Sequence, residues 1–325
     1  MFFRVDNLAK KFNGKEVFSG INFEVSKGEL ISIVGPSGVG KTTLLKIIAQ
    51  LETADLGNVY FEEADFKKNP VILVFQDYLL FPNMTVFQNI SFGLETRKED
   101  KKTIHEKVNK ILRDFQLEDK TNFFPAQLSA GQQQRVAIAR AMVVNPSILL
   151  LDEPFANLDK NLKGETAEFI KSAQRKFDIT TISVTHDLVE AFMISDKIGV
   201  MLDGKLVQYD TVNNIYHNPD SLEIARFLGP VNIVTEKYFK YIEMNDEKLL
   251  KQKQFFARAE AFTIEKDIKG SGVIEEICFA GHYILYKVMI NDLNLTVCRI
   301  SDNFKIGDRV KIKLLKHIEE RTAGL

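Results

Sequence analysis

The chain has 325 residues, 45% apolar and 27% charged, with 18 Gly and 8 Pro, a globular composition that excludes collagenous and disordered classes. Its 43 Lys and Arg against 44 Asp and Glu leave a formal charge of -1, which argues against a protein built to coat nucleic acid. Two cysteines, Cys278 and Cys298, are too few for a disulfide framework and fit a reducing compartment, and the length suits about two domains with a core each.

Met1 to Lys11 interleaves Arg4, Asp6, Lys10 and Lys11 with apolar residues, so no signal peptide is expected. Phe2 to Val5 and Val17 to Val25, with Asn13, Gly14 and Gly28 as turn signals, predict an antiparallel β edge. The apolar runs Leu30 to Val34, Val71 to Phe75, Ile148 to Leu151 and Thr181 to Val184 predict strands of a mostly parallel sheet. All are far shorter than the roughly 20 residues of a spanning helix, so any membrane role is expected to be peripheral. Helical patterns follow Gly40, Lys98, Ser129 and Asp187, and helix signals dominate between Gln76 and Asn145, which predicts an inserted helical subdomain over about 77–145. After Phe227-Leu228-Gly229-Pro230 the pattern changes to short strands broken at Gly270 to Gly272, Ala280-Gly281, Asn291 to Asn294 and Lys305 to Asp308. The expected domains are therefore 1–230, α/β, and 231–325, a small all-β domain. Cys278 and Cys298 fall on candidate strands of the latter and read as core or half-buried thiols.

Gly35-Pro36-Ser37-Gly38-Val39-Gly40-Lys41-Thr42 fits G-x-x-x-x-G-K-[ST] between a predicted strand and a predicted helix, the context that this phosphate-binding loop requires. Gly35, Ser37, Gly38 and Gly40 let backbone amides close on phosphate oxygens, the helix start with Thr43 adds its positive end, and Lys41 supplies a point charge. Thr42 is the expected Mg²⁺ ligand. The run ending in Asp152-Glu153 reads as a strand buried on both faces, and its two consecutive carboxylates leave in opposite directions. Asp152 is assigned to Mg²⁺ and Glu153 to the attacking water as general base. His186 ends the run Thr180 to Thr185 and falls on the same sheet edge if the strands are parallel, where it would contact the γ-phosphate.

These residues read as a P-loop NTPase. Leu128-Ser129-Ala130-Gly131-Gln132 resembles the signature motif of ATP-binding cassette (ABC) ATPases, L-S-G-G-Q in that family, with Ala130 as a departure. It also reads as a helix start with Ser129 as N-cap. In family order, Gln76 matches the Q-loop Gln, Ala156-Asn157-Leu158-Asp159 looks like the D-loop with Asp159 as its acidic residue, and Phe12 lies where the family stacks an aromatic on adenine. With 25 Phe in the chain, a core position for Phe12 is the competing reading. The resemblance implies that ATP and Mg²⁺ bind here, that Gln76 reaches both Mg²⁺ and the γ-phosphate, and that two chains pair head to tail. Ser129, Gly131 and Gln132 would then act on the partner subunit's nucleotide, with a homodimer completing each site.

A cassette without membrane helices, followed by about 90 residues of β domain, resembles the importer ATPases of the maltose, iron(III), polyamine, sulfate and molybdate group, whose extension is OB-like (TOBE-type). The resemblance implies an ATPase on the cytoplasmic face of the membrane, working with two transmembrane permease subunits and, indirectly, an extracytoplasmic solute-binding protein. The alternative is a non-transport ABC ATPase of nucleic acid or the ribosome. A kinase would leave the signature and D-loop motifs unexplained. Arg309, Lys311 and Lys313 alternate with Val310, Ile312 and Leu314, and 16 Lys and Arg against 14 Asp and Glu from Thr235 onward favour a solvated strand face over a nucleic-acid site.

Overall fold

Residues 2–62, 69–246, 249–301 and 304–318 are described in the computed structural model, the side chains of Lys160 and Asn161 excepted. The chain divides into two units, Met1–Val212 and Asn213–Leu325. The first begins with β1 (Phe3–Phe12), β2 (Lys15–Val25), β3 (Leu30–Val34), α1 (Lys41–Ile48), β4 (Leu56–Phe61) and β5 (Val71–Val74). Three helices follow, α2 (Val86–Thr96), α3 (Lys101–Asp114) and α4 (Ala130–Met142). Then come β6 (Ile148–Asp152), α5 (Lys160–Phe177), β7 (Thr180–Thr185), α6 (Leu188–Ile194), β8 (Lys197–Leu202) and β9 (Lys205–Thr211).

The main sheet has the order β5-β6-β7-β3-β8-β9, parallel except for β9. Every residue of β3, β6 and β7 is buried; β6 accordingly reads as a continuous apolar run up to Asp152, β3 is interrupted only by Ser32, and β7 buries Thr and Ser alongside Ile182 and Val184. The N-terminal strands do not edge this sheet. They form a separate antiparallel sheet, β2-β1-β4, while the true antiparallel edge is β9, whose half-buried mixed pattern gives a weak strand signal.

The helical segment starts are fixed by side-chain caps. Thr85 and Ser129 each form a reciprocal capping box with Gln88 and Gln132, and Asp100 and Asp187 accept amides at the starts of α3 and α6. Helices α2 to α4 bury Ile90, Leu94, Val108, Leu112 and Val136 in a core shared with β6, in the span expected for the inserted subdomain.

The second unit holds α7 (Val212–His217), α8 (Leu222–Phe227), β10 (Val231–Thr235), β11 (Ile242–Glu243), β12 (Gln254–Arg258), β13 (Phe262–Lys266), β14 (Gly272–Phe279), β15 (Ile284–Ile290), β16 (Leu293–Arg299) and β17 (Arg309–Leu314). Its main sheet runs β11-β17-β14-β15-β16 with β13 on β17, around a core of its own that includes Tyr286, Val288, Val297 and Ile312. The division falls at 212/213, ahead of the boundary expected near 230. Arg258 explains the shift: its guanidinium donates to the Ala225, Gly229 and Tyr216 carbonyls, binding both short helices to the β strands. Val310, Ile312 and Leu314 are buried while Arg309 and Lys311 are exposed, the two-faced strand that the alternation predicts. Cys278 is exposed, against the core or half-buried position expected, because it lies near the end of β14 where the chain faces solvent; Cys298 is half-buried.

Candidate functional site

Parallel pairing decides where the chemistry collects. Because β5, β6, β7 and β3 run the same way, their carboxyl ends deliver Gln76, Asp152 with Glu153, His186 and the loop 35–40 to one edge. The loop turns into α1 through Gly38 (φ +81°) and Gly40 (φ +107°), left-handed conformations that an L side chain adopts only with strain. At Gly40 a Cβ would also sit 2.9 Å from Val17 and Phe18 of β2, whereas at Gly38 it would meet nothing within 4 Å. Gly40 caps α1 without a side-chain bond and no acidic residue occupies the first turn, so the helix start presents free amides and an uncompensated positive end.

Lys41 is 6% exposed, and its Nζ donates to the Gly35 carbonyl (2.8 Å) and the Pro36 carbonyl (3.0 Å), with Glu153 at 4.0 Å. Burial pulls its ammonium below the usual lysine value, and Glu153 and Asp152 oppose that shift. The Thr42 hydroxyl donates to Asp152 Oδ1 at 3.0 Å; burial pushes the Asp152 carboxyl up, with the Thr42 bond acting the other way. Hydroxyl and carboxylate thus meet in the arrangement that a hard divalent cation would bridge. Among the described residues no group of three or more His, Cys, Asp or Glu could hold a metal. This donor pair suits Mg²⁺, which completes its shell with water and substrate phosphate.

Glu153 adopts a left-handed φ of +48°, its amide donates to the Val184 carbonyl (2.9 Å), and its Oε2 lies 2.8 Å from His186 Nδ1. The sequence placed these two residues on one edge; their direct contact is new. Gln76 is exposed, two residues past β5, and Asn157 donates to its carbonyl at 3.0 Å. Asn157 carried no individual role in the sequence reading, because only tertiary pairing joins it to Gln76. Arg140 was also missed: from α4 it donates to the Tyr78 and Leu79 carbonyls at 3.0 and 2.9 Å and stacks over Phe81.

Phe12 is 45% exposed, so the competing core reading does not hold; Lys10 sits over its ring. It ends β1, paired with Lys15 on the hairpin whose β2 packs against Gly40. Ser129 is the N-cap of α4, as expected, its side chain bonded to the Gln132 amide and the Gln132 side chain to the Ser129 amide. Among the described residues no hydrogen bond or ion pair links Ser129, Gly131 or Gln132 to residues 35–43. Ala130 packs its methyl on the helical core, and the Gly131 Cα faces open space. Asp159 is exposed at the start of α5 and makes no cap bond there.

A strand–loop–helix phosphate cradle with a Thr–Asp pair and a Glu at the next strand end defines a P-loop nucleoside triphosphatase. The family model described as "ABC transporter" matches residues 18–156. The chain is 37% identical over 323 residues to the "Sulfate/thiosulfate import ATP-binding protein CysA" of Mesostigma viride, covering 95% of this chain and 92% of that one. It is 44% identical over 235 residues to the "Spermidine/putrescine import ATP-binding protein PotA" of Vibrio cholerae serotype O1, covering 71% and 62%. A solved dimeric post-hydrolysis state of the ATP-binding cassette MJ0796 bound to ADP and Pi is 30% identical, with a TM-score of 0.57, covering 65% of this chain and 98% of that one. The chain belongs to the ABC transporter ATP-binding family. It is an ATPase.

Proposed function

We propose that this chain is the ATP-hydrolysing subunit of an ABC importer, acting as a homodimer on the cytoplasmic face of a membrane with two separate permease subunits. The observation that carries it is the gathering of Lys41, Thr42, Asp152, Glu153 and His186 on one sheet edge while Ser129, Gly131 and Gln132 stand apart at another helix start, Ser129 exposed and the other two half-buried. One chain then holds both halves of a composite site but does not join them. A second copy, placed head to tail, supplies the missing half. The packing of the Ala130 methyl on its own core leaves the Gly131 face clear for such an approach.

In that assembly the loop amides with Ser37, Lys41 and Thr43 hold the phosphates, Phe12 stacks on the adenine, and Thr42, Asp152 and Gln76 hold Mg²⁺. The cation neutralises charge on the β- and γ-phosphates. Glu153 takes the proton of the attacking water, and His186 contacts the γ-phosphate. Gln76 and Asp159 report the occupancy of the site to the helical segment and to the partner. No helix among the described residues is long and apolar enough to cross a membrane, which suits a subunit that relies on separate permeases. The functional boundary is placed near 230, and the mostly antiparallel sheet of the second unit, closed around its own core, supports an OB-like domain for dimer contact or regulation. Its interleaved ion pairs, such as Lys311–Glu243 (2.7 Å) and Lys287–Glu276 (2.5 Å), favour this over a nucleic-acid surface.

The relatives above carry different solutes in their names, and no residue of the site described here would touch a solute. Purification of the complex through a tag on this chain, with identification of the co-purifying proteins, tests the reading. Permease subunits and a solute-binding protein are expected; recovery with ribosomes or nucleic acid instead would sink it.

A further inference from the structure

One buried carboxylate holds Thr185, the residue before His186, directly, and reaches Asp187, the residue after it, through the Thr185 hydroxyl and Lys163. Glu190, on α6, is 4% exposed; its Oε2 accepts from the Thr185 hydroxyl at 2.6 Å and its Oε1 accepts from Lys163 Nζ at 2.8 Å. The same Thr185 oxygen accepts the Asp187 amide at 3.0 Å. Lys163 Nζ reaches Asp187 Oδ2 at 3.4 Å, while Asp187 Oδ1 caps α6 by accepting the Val189 amide at 2.9 Å. His186 lies between Thr185 and Asp187 with its own ring 57% exposed and bonded only to Glu153 among the described contacts. Its ring is therefore held by a single side-chain bond, while the residues on either side of it are tied to the Glu190–Lys163 pair. Lys163 stands in the first turns of α5, where its amide donates to the Asp159 carbonyl at 3.1 Å.

We propose that Glu190 is a positioning residue for His186, and that its ion pair with Lys163 ties the backbone around His186 to the start of α5, so that a displacement at Asp159 reaches the γ-phosphate contact through Lys163, Glu190 and Thr185. A carboxylate taken out of water is costly to keep, and an apolar side chain of similar size often serves stability as well. Here each oxygen is committed to a residue that fixes the His186 segment. Misplacing a catalytic group by an ångström lowers the rate far more than it lowers binding. The inference rests on the reading of His186 as the γ-phosphate contact, and the test separates the two.

ATP hydrolysis by the full chain is measured for Glu190→Gln and Lys163→Gln, each alone and combined with His186→Ala. Affinity for a non-hydrolysable ATP analogue and the imidazole NMR signals of the five histidines are followed in parallel. Each single change is expected to lower kcat roughly 10- to 100-fold with analogue affinity within about twofold, and to move the His186 signals alone. In the His186→Ala background neither is expected to add a further loss. A full additional loss in that background, or unmoved His186 signals, overturns the proposal while leaving the role of His186 intact. Undiminished hydrolysis by His186→Ala alone overturns the role of His186 and this proposal with it. Lys163 is about a third exposed, so Lys163→Gln carries the same test should Glu190→Gln fail to fold.

Discussion

His186 Nδ1 and Glu153 Oε2 are 2.8 Å apart, which joins the residue proposed to contact the γ-phosphate to the residue proposed to activate the attacking water. Both termini of that bond lie beyond strands that are adjacent in the sheet, β6 and β7, so the contact follows from their parallel register, in which Asp152 pairs with Val184. A single hydrogen bond therefore fixes the direction of the carboxylate.

Glu153→Gln is expected to keep nucleotide binding and lower turnover by about 10² to 10⁴, the usual contribution of a positioned general base. The amide is isosteric and can still accept from His186, so the loss reports proton transfer and not geometry. Lys41→Ala differs, because it removes a charged partner of the phosphates and should weaken nucleotide binding roughly 10- to 100-fold. Equilibrium binding and steady-state hydrolysis measured on the same preparations distinguish the two patterns; an unchanged kcat in Glu153→Gln removes it from the role of base.

What the sequence revealed, and what it withheld, divides along contiguity. Residues 35–42, 128–132 and 152–153 each carry their chemistry in one short stretch, and β3 and β6 announce themselves because burial on both faces leaves them almost wholly apolar, with Ser32 the one polar residue inside Leu30 to Val34 and none inside Ile148 to Leu151. The Asn157–Gln76 and Arg140–Leu79 bonds join residues 81 and 61 positions apart, and no local pattern encodes such a pairing. The division into units at 212/213 was not legible for a similar reason. The strand pattern starts at Val231, but Arg258 reaches back to carbonyls at 216, 225 and 229, and a side chain's reach leaves no periodic trace.

Mixing Lys41→Ala chains with Ser129→Arg chains tests the trans site. A mixed dimer carries one intact composite site and one with both lesions, so hydrolysis is expected to recover in part relative to either pure preparation. Ser129→Arg also removes an N-cap that contributes about 1 kcal/mol, so its folding is checked first by circular dichroism and melting. Mixed dimers that form, shown by two different tags, and yet stay inactive would argue against the head-to-tail arrangement.

A chain ending at Val212 is expected to fold and bind ATP, because every strand of the main sheet ends by Thr211 and every phosphate-site residue lies before Asp187. Calorimetric titration with Mg-ATP measures it. A folded fragment without nucleotide affinity would show that the second unit contributes to the site.

The segment after Gln76 is the expected docking groove for the permeases, and the structure sorts its apolar residues into two groups. Tyr78 (4% exposed) and Val86 (0%) belong to the helical core, while Leu79 (55%) and, one helical face further, Phe92 (40%) lie open to solvent. Phe81 and Met84 are half-buried, and the Phe81 ring meets the Phe92 ring at 4.6 Å. Tyr78 and Leu79 hold left-handed φ values of +58° and +43°, a conformation costing on the order of 1–3 kcal/mol per residue. Arg140 offsets this by donating to both carbonyls. A strained, braced loop that turns Leu79 outward close to Gln76, the proposed γ-phosphate sensor, is suited to pressing on a partner. Leu79→Asp places a charge where solvent already reaches, in a conformation that Asp tolerates. Near-normal melting and basal ATPase are expected, with loss of co-purification with the permeases and of solute uptake. Tyr78→Asp buries an unpaired charge and should instead unfold the helical segment. Normal assembly and transport by Leu79→Asp would remove this segment from the docking surface.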